Sequence, residues 1–523
     1  MLRLAFMRNR RHICAGALLA AFFFESLFAS LLKSPTFDEP NHLAAGISYL
    51  RTRVFHANLQ HPPLLKELSA LAAMAAGARW PDTEMARELI ANPPENSGLE
   101  WQIGSDIIAR AGPNRVLFWA RLPMILVATL LGLLIYLWGR KLLGEAAALG
   151  ALFLFVADPT MIAHSYLVTT DMGLAAFTVL FFLLLWNYLE RPDARGPLLC
   201  GLALGAALAS KYSAVFLLPI ALLLLVAAKG RRFLGPFLAM CCIAFLVIEA
   251  VFLFRSPMLY WHGLQLVNAD HDPHYQSFLA GEFAPRFPAY FAAAYLLKEP
   301  IPAILLASVG LIVLLCTRRK DRLTELFLLL PPFVLFTAYT AAAGNMGFRY
   351  MIPVLPFAFL LGGAGLAWLF RQPSKWMRAA ALTLCVWSIV AAAGIYPDHL
   401  SYFNEMACLL RDPAQIGWDG GTRCGTRWLD DSNVDWGQGV KQLRDWLQRR
   451  GVHEPIHLAY FGSFPPEKYG LLYTGFDPRG EPAPGLYAVS AHFVARAAAE
   501  GSWIGRTAPS AIVGHALYVY EIR

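Results

Sequence analysis

Ser34 to Lys66 reads SPTFDEPNHLAAGISYLRTRVFHANLQHPPLLK. It is a polar segment holding Asp38, Glu39, His42, His61 and Lys66, bracketed by the apolar runs Ile13 to Leu32 and Val116 to Trp138. Each run is near or above the length that crosses about 30 Å of hydrocarbon. A charged segment between two such runs must leave the membrane, so this stretch marks an aqueous loop in a chain that crosses the bilayer repeatedly.

Composition agrees. Apolar residues make up 57% of the 523 residues and charged residues 15%, against about 45–50% and about 25% for an ordinary soluble domain. The formal charge of +8 does not indicate a nucleic-acid partner, because the basic residues sit in short clusters between apolar runs, as cytoplasmic loops of membrane proteins do. The eight cysteines show no metal-ligand spacing, and most lie within apolar runs as small hydrophobes. Cys408 and Cys424 flank a polar loop placed outside the membrane, where a disulfide persists if it forms; the sequence leaves the bridge open.

Arg3, Arg8, Arg10 and Arg11 precede the first run and predict a cytoplasmic N-terminus. A cleaved leader is the alternative, and the long apolar series behind it favours a retained helix. Ser34 to about Asn114 is then an outer loop, with helical patterns near His42 to Arg51 and Leu64 to Ala76. Further spans are expected at Leu142–Val156, Met172–Leu189, Pro197–Ala209, Ala214–Ala228, Phe233–Phe254, Ile301–Cys316, Leu323–Ala343, Met351–Phe370 and Ala379–Tyr396. That makes about eleven spans. The inner turns carry Arg140 and Lys141, Arg191 and Arg195, Lys229 to Arg232, Arg318 to Lys320, and Arg371 to Arg378. Acidic and histidine-bearing loops fall on the other side, including a second large outer loop at 255–298 with His271, His274 and Tyr275.

The chain thus divides into a membrane module, 1–396, with outer loops 33–114 and 255–298, and a small α/β domain outside the membrane, 397–523. In the latter, Ile456–Phe461, Leu486–Val489 and Ala516–Ile522 read as strands, and Val434–Arg449 as an amphipathic helix. Glu25 and Glu249 lie inside apolar runs, where ionisable groups are expensive, without an assignable role.

Taken alone, Asp38-Glu39-Pro40 is explained by Thr36 or Asp38 capping a helix with Pro40 in its first turn. Capping does not explain why His42 lies one turn beyond Asp38, or why His61-Pro-Pro-Leu-Leu-Lys66 shares the loop. The motifs TFDEPNHLAAGISYL and QHPPLLKEL, then VTTD at Val168–Asp171, SKYSAVFLLP at Ser210–Pro219, FRYMIPVLPF at Phe348–Phe357, YPDHLSYFNE at Tyr396–Glu405 and DSNVDWGQ at Asp431–Gln438, resemble in order the lipid-carrier-dependent glycosyltransferases of the GT-C fold. That group contains the protein O-mannosyltransferases and the lipid A aminoarabinose transferase. The resemblance covers nearly the whole chain.

It implies a GT-C membrane module in a bacterial inner membrane, with the site and C-terminal domain periplasmic. It also implies transfer of a hexosyl or pentosyl group from a polyprenyl-phosphate-sugar donor to a periplasmic acceptor, a protein, lipid or glycan, with inversion at the anomeric carbon. By resemblance Asp38 is the base that accepts the proton of the attacking hydroxyl, with Glu39 beside it orienting the acceptor or holding the loop. The leaving lipid phosphate needs fixed cations, and Lys66, Lys211 and Arg349 in outer turns are the candidates; snorkelling to headgroups also accounts for each. Asp171 resembles the second acidic position of the fold, although an N-cap for the span at Met172 explains it as well. With Asp38, His42 and His61 it makes a donor set compatible with a divalent metal, and no other cofactor is indicated.

Asp431, Asn433, Asp435 and Trp436 resemble a sugar-contacting cluster. The simplest account of them is a helix N-terminus capped by Ser432 or Asn433. The chain departs from the family pattern with Gly439 where an acidic residue is common and with an insertion at Ala407–Arg427. Two other readings fit a polytopic chain: a transporter or lipid flippase, and a non-catalytic GT-C homologue whose tail binds a partner. Transporters place polar sites near the bilayer midplane on broken helices, whereas these motifs collect in loops on one face.

Overall fold

The computed structural model describes residues 2–91, 98–269, 275–317 and 322–523. His271, His274 and the basic cluster Arg318 to Lys320 lie outside the described residues. Helix α1 (Leu2–Leu31) is followed by the shorter α2 (Glu39–Thr52), α3 (Leu64–Ala75), α4 (Glu84–Ala91) and α5 (Leu99–Ala111). The membrane part continues through α6 (Pro113–Leu142), α7 (Glu145–Val156), α8 (Pro159–Ser165), α9 (Asp171–Glu190), α10 (Gly196–Leu208), α11 (Leu217–Lys229), α12 (Leu234–Val251) and α13 (Leu259–Ala269). After the hairpin β1 (Ser277–Leu279) and β2 (Glu282–Ala284) come α14 (Tyr290–Lys298), α15 (Ile301–Cys316), α16 (Arg322–Ala342), α17 (Leu355–Arg371) and α18 (Lys375–Gly394).

Among the described residues seven helices are long and apolar enough to cross a membrane, or nine if the bent pairs α7–α8 and α14–α15 each count as one span. The expected eleven are reached only by adding α10 and α17, which are shorter apolar helices. The 13 residues of α10 extend about 20 Å, short of the hydrocarbon thickness. The chain is a mostly helical multi-pass membrane protein with a small C-terminal α/β unit, as its sequence indicates.

Two glycines let the helices of the first large loop close on one another. A Cβ on Gly46 of α2 would lie 2.3 Å from the Lys66 carbonyl oxygen of α3, and one on Gly104 of α5 would lie 1.9 Å from that of Pro40. Helix α2 is therefore gripped between α3 and α5, and its residues from Glu39 to Tyr49 are buried. Asp38, immediately before α2, inherits that fixed position.

The C-terminal unit carries a five-stranded sheet in the order β4-β3-β5-β7-β6, with β3 Ile456–Ala459, β4 Tyr473–Gly475, β5 Gly485–Ser490, β6 Ala511–Val513 and β7 Leu517–Ile522. β3 pairs in parallel with β4 and β5, and β7 is antiparallel to β5 and β6. Three of these strands were readable; β4 and β6 are three-residue edges. Helices α19 (Met406–Leu409), α20 (Val440–Arg449), α21 (Ala491–Ala499) and α22 (Trp503–Arg506) complete it. The helix expected from Val434 begins only at Val440, because the backbone of 434–438 is drawn into pairing with the Ser34–Phe37 loop: Ser34 N donates to Gln438 O at 3.1 Å and Phe37 N to Trp436 O at 2.7 Å. Gly437, with φ of +88°, makes the turn that permits this.

Cys408 and Cys424 are disulfide-bonded, closing a loop of sequence separation 16. Reduction is expected to destabilise the C-terminal unit by about 3 kcal/mol, read as a lower melting midpoint together with a mass shift of the peptide pair; an unchanged midpoint would count against this.

A buried charge network fastens this unit to the first loop. Lys33 pairs with Asp398, whose other oxygen meets His515 Nδ1 at 2.8 Å, and His515 Nε2 lies 3.2 Å from Asp419. Burial alone would lower the His515 pKa, but hydrogen bonds to Asp398 and Asp419 and their charges raise it from 6.5 to about 9. A raised histidine stabilises fully below its unfolded value and loses that contribution as pH rises through the folded one. Thermal stability is therefore expected to fall by on the order of 3 kcal/mol between about pH 6 and pH 10, and the step to vanish in His515→Gln.

Candidate active site

The site is assembled where the Ser34–Asp38 loop, the turn before α9, the Phe348–Met351 turn and the Asp430–Gln438 segment meet. Its frame is Glu39. Arg121 of α6 donates from Nε to Glu39 Oε1 at 2.8 Å and from Nη2 to Oε2 at 2.6 Å, a two-pronged pair with both side chains 1% exposed. Glu39 Oε1 also accepts from Val168 N at 3.1 Å, and Oε2 from Thr36 N at 2.8 Å. Arg121 spends its remaining N–H groups on the carbonyls of Ser30, Lys33 and Ser34, at and just beyond the end of α1. Glu39 and Arg121 thus lock the α1 exit, the Asp38 loop and the α9 approach together. Glu39, expected beside Asp38 in the chemistry, has both carboxylate oxygens occupied by these donors.

Asp38 behaves differently. It occupies the N-cap position of α2 but makes no capping hydrogen bond. Its Oδ2 accepts from Arg349 Nη1 at 3.1 Å, and the two side chains retain 18% and 14% exposure. The Arg349 guanidinium lies 4.2 Å from the centroid of the Trp436 ring and 5.6 Å from that of Tyr350, contacts that orient a planar cation. The turn bearing Arg349 is held by Asn433, whose Oδ1 accepts from Phe348 N at 2.8 Å while its Nδ2 donates to the Tyr290 hydroxyl at 2.9 Å. Burial works against the charge of Arg349, yet Asp38, Tyr350, Asp171 and Asp431 raise its pKa further above the usual arginine value.

Next to this pair, Lys211 Nζ donates to Asp171 Oδ1 at 2.6 Å and sits 4.6 Å from the Tyr350 ring centroid. Asp171 does not cap α9; Thr170 holds that position without a side-chain bond. His42 and His61 stack with centroids 5.3 Å apart. Burial first, then neighbouring cations including Lys66, Lys211 and Arg349, pushes both well below the ordinary histidine value, so both are neutral near pH 7.

Lys66 departs from expectation. Its ammonium donates to Asn58 O and Asn58 Oδ1, both at 2.6 Å, and to His61 O at 2.7 Å, and the residue is 1% exposed. All three N–H groups are used inside the 58–61 turn, whose carbonyls lack helical partners. Lys66 shapes the loop and leaves no donor for a phosphate. The metal alternative is not assembled either. Asp38 and Asp171 are each taken by a cation, and among the described residues no three His, Cys, Asp or Glu side chains are grouped to hold an ion.

The Asp431–Trp436 cluster joins the site rather than capping a helix. Besides Asn433 and Trp436, Asp431 Oδ2 accepts from the Tyr275 hydroxyl at 3.0 Å. Asp430 is paired with Arg496 at 2.6 Å. Burial, reinforced by Asp431 and opposed by Arg496, lifts Asp430 to about 7. Arg349 Nε and His164 Nδ1 are among the buried nitrogens that have no hydrogen-bond partner among the described residues. Their residues line one narrow cavity with Thr160, Lys298, His399 and Asn433.

Sequence reasoning missed Arg121, although an arginine inside the run Val116–Trp138 is the kind of costly intramembrane charge that signals a role. It also missed Lys298, whose Nζ donates to Leu400 O at 2.8 Å and Asn433 O at 2.6 Å, and which stands at the edge of a loop where a cation looks unremarkable.

Residues 113–261 match the family model described as dolichyl-phosphate-mannose-protein mannosyltransferase. No curated protein matches the chain. Among solved structures, ArnT from Cupriavidus metallidurans bound to undecaprenyl phosphate aligns at 13% identity over 96% of this chain and 97% of that one, with a TM-score of 0.47. The oligosaccharyltransferase AglB from Archaeoglobus fulgidus, in complex with an inhibitory peptide and a dolichol-phosphate, aligns at 13% identity over 73% and 54%, with a TM-score of 0.46. The S. cerevisiae protein O-mannosyltransferase Pmt1-Pmt2 complex bound to the sugar donor aligns at 18% identity over 54% and 36%, with a TM-score of 0.33. The family-model match supports the resemblance to lipid-carrier-dependent glycosyltransferases. It covers α6 to the start of α13, a part of the chain that holds Arg121, Asp171 and Lys211 but neither Asp38 nor Arg349.

Proposed function

We propose that the chain is an integral-membrane inverting glycosyltransferase of the GT-C kind, moving a hexosyl or pentosyl group from a polyprenyl-phosphate carrier to an acceptor at the periplasmic face of a bacterial inner membrane. The observation that carries this reading is the partly open Asp38–Arg349 pair over Trp436, beside carboxylates that are sealed or already paired.

The acceptor hydroxyl attacks the anomeric carbon from the face opposite the phosphate. Asp38 takes the hydroxyl proton as the new C–O bond forms. The bond from the anomeric carbon to the phosphate oxygen breaks, and its electron pair leaves on that oxygen. Arg349, with an unpartnered Nε, and Lys211 are the fixed cations that stabilise the charge developing there. Trp436 holds the guanidinium plane in place, and Glu39 with Arg121 fixes the loop from which Asp38 reaches in. His42 and His61, being neutral, add no charge and shape the pocket wall.

The stereochemistry tests this mechanism. The anomeric configuration of the product, read by NMR, is expected to be opposite to that of the donor. Retention would require a covalent sugar intermediate and would overturn the mechanism.

A further inference from the structure

Residues 397–523 expose six large apolar side chains, and four of them, Leu409, Leu410, Ile416 and Trp418, fall within ten residues. Trp418 is 80% exposed, and Leu409 and Leu410 are more than half exposed. Such side chains clustered on one short loop mark a contact surface. The loop is also held rigidly: the Cys408–Cys424 disulfide closes its base, Trp428 Nε1 donates to Ala407 O at 2.8 Å, and a turn pairs Gly417 with Gly420 at 3.0 and 3.1 Å.

Its position selects the partner. A Cβ on Gly394, the last residue of the apolar helix α18, would lie 1.8 Å from the Trp418 carbonyl oxygen, so the loop backbone rests directly on the end of a candidate span. Trp387, two turns earlier in α18, donates from Nε1 to Glu405 Oε1 at 2.7 Å, which fixes the approach to the loop beside the same helix end. Tryptophan and leucine at the end of a spanning helix, with the exposed Arg411 beside them, have the composition of a segment seated at the headgroup boundary.

We propose that residues 409–418 form an interfacial anchor whose Leu409, Leu410, Ile416 and Trp418 side chains insert into the lipid leaflet at the end of α18. The anchor fixes the height of the C-terminal unit over the bilayer, and with it the Asp431–Trp436 segment that packs on Asp38. It stands independently of the reaction proposed above.

The test is photolabelling of the full chain in phosphatidylcholine nanodiscs containing a phosphatidylcholine with a diazirine on the acyl chain close to the glycerol backbone, followed by peptide mapping. Val386 and Ile389, exposed on α18, are internal positives, and Leu472 and Tyr473, exposed apolar residues of the sheet edge region, are internal negatives. Adducts on 409–418 are expected at a level comparable to Val386 and Ile389, and in the combined Leu409→Ser, Leu410→Ser, Trp418→Ser variant they are expected to fall to the level of Leu472 and Tyr473. Labelling of 409–418 in the unaltered chain no stronger than at Leu472 and Tyr473, as when a protein partner or a second copy covers the patch, would overturn the proposal.

Discussion

Asp38→Asn is expected to lower sugar transfer by about 10²- to 10⁴-fold, the usual contribution of a positioned general base, while leaving the protein folded. The substitution removes the group that takes the proton and the negative charge facing Arg349, while the shape of the side chain is kept. An asparagine Oδ1 can still accept from Arg349 Nη1, now 3.1 Å away, and Asp38 supplies no capping bond to α2 that the change would delete. Arg349 keeps its stacking on Trp436 and its partial exposure. The melting midpoint should therefore stay near that of the unaltered protein. Binding of polyprenyl phosphate should persist as well, because the cations assigned to it are untouched. Unaltered turnover by the asparagine variant would remove Asp38 from the mechanism.

Breaking the Glu39–Arg121 pair should act on the fold first and on activity through it. Both side chains are 1% exposed, and removing one partner of a buried, hydrogen-bonded ion pair leaves an uncompensated charge, at a cost of about 3–5 kcal/mol. Arg121→Met is expected to be the more damaging single change, because it also removes the side-chain donors to the carbonyls of Ser30, Lys33 and Ser34. Glu39→Gln keeps the shape but loses the charge, and strips acceptor strength from the amides of Thr36 and Val168. The double variant Glu39→Leu, Arg121→Met should regain part of the loss, since an apolar pair avoids the stranded charge, but not all of it, because those backbone groups still lack their side-chain partners. Chemical denaturation in detergent would read this; a Glu39→Gln protein as stable as the unaltered one would contradict the assignment.

The membrane class, the first-loop helices and three of the five sheet strands follow from apolar run lengths and periodicity, which are local properties. α3 starts at Leu64, where the Pro62-Pro63 break places it. Asp38 and Asp171 stand out by resemblance to the family's motifs, and Lys211 and Arg349 by their place in outer turns. The pairing between them was not legible. Arg349 reaches Asp38 across a separation of 311 residues, and nothing local states which cation meets which carboxylate.

The same gap accounts for the misplacements. The place of Lys66 in a turn points it outward, yet a long flexible side chain can fold back, and the carbonyls of Asn58 and His61 hold it. Glu39 adjoins Asp38 in sequence, but the onset of α2 turns the two carboxylates toward different partners, Arg121 and Arg349. The DSNVDWGQ segment suggested a cap because Ser, Asn and Asp favour helix starts. Its backbone instead found unpaired donors on the Ser34–Phe37 loop, a tertiary demand that overrides local propensity.

The central claim, that this site breaks the bond between a sugar and a lipid phosphate, is tested most directly by incubating the purified protein in lipid with a panel of polyprenyl-phosphate sugars and acceptor extracts and following the release of free carrier phosphate. Release from at least one donor, dependent on Asp38 and Arg349, is the expected result. A panel in which every donor stays bound and intact, or in which carrier crosses the bilayer without losing its sugar, would contradict it.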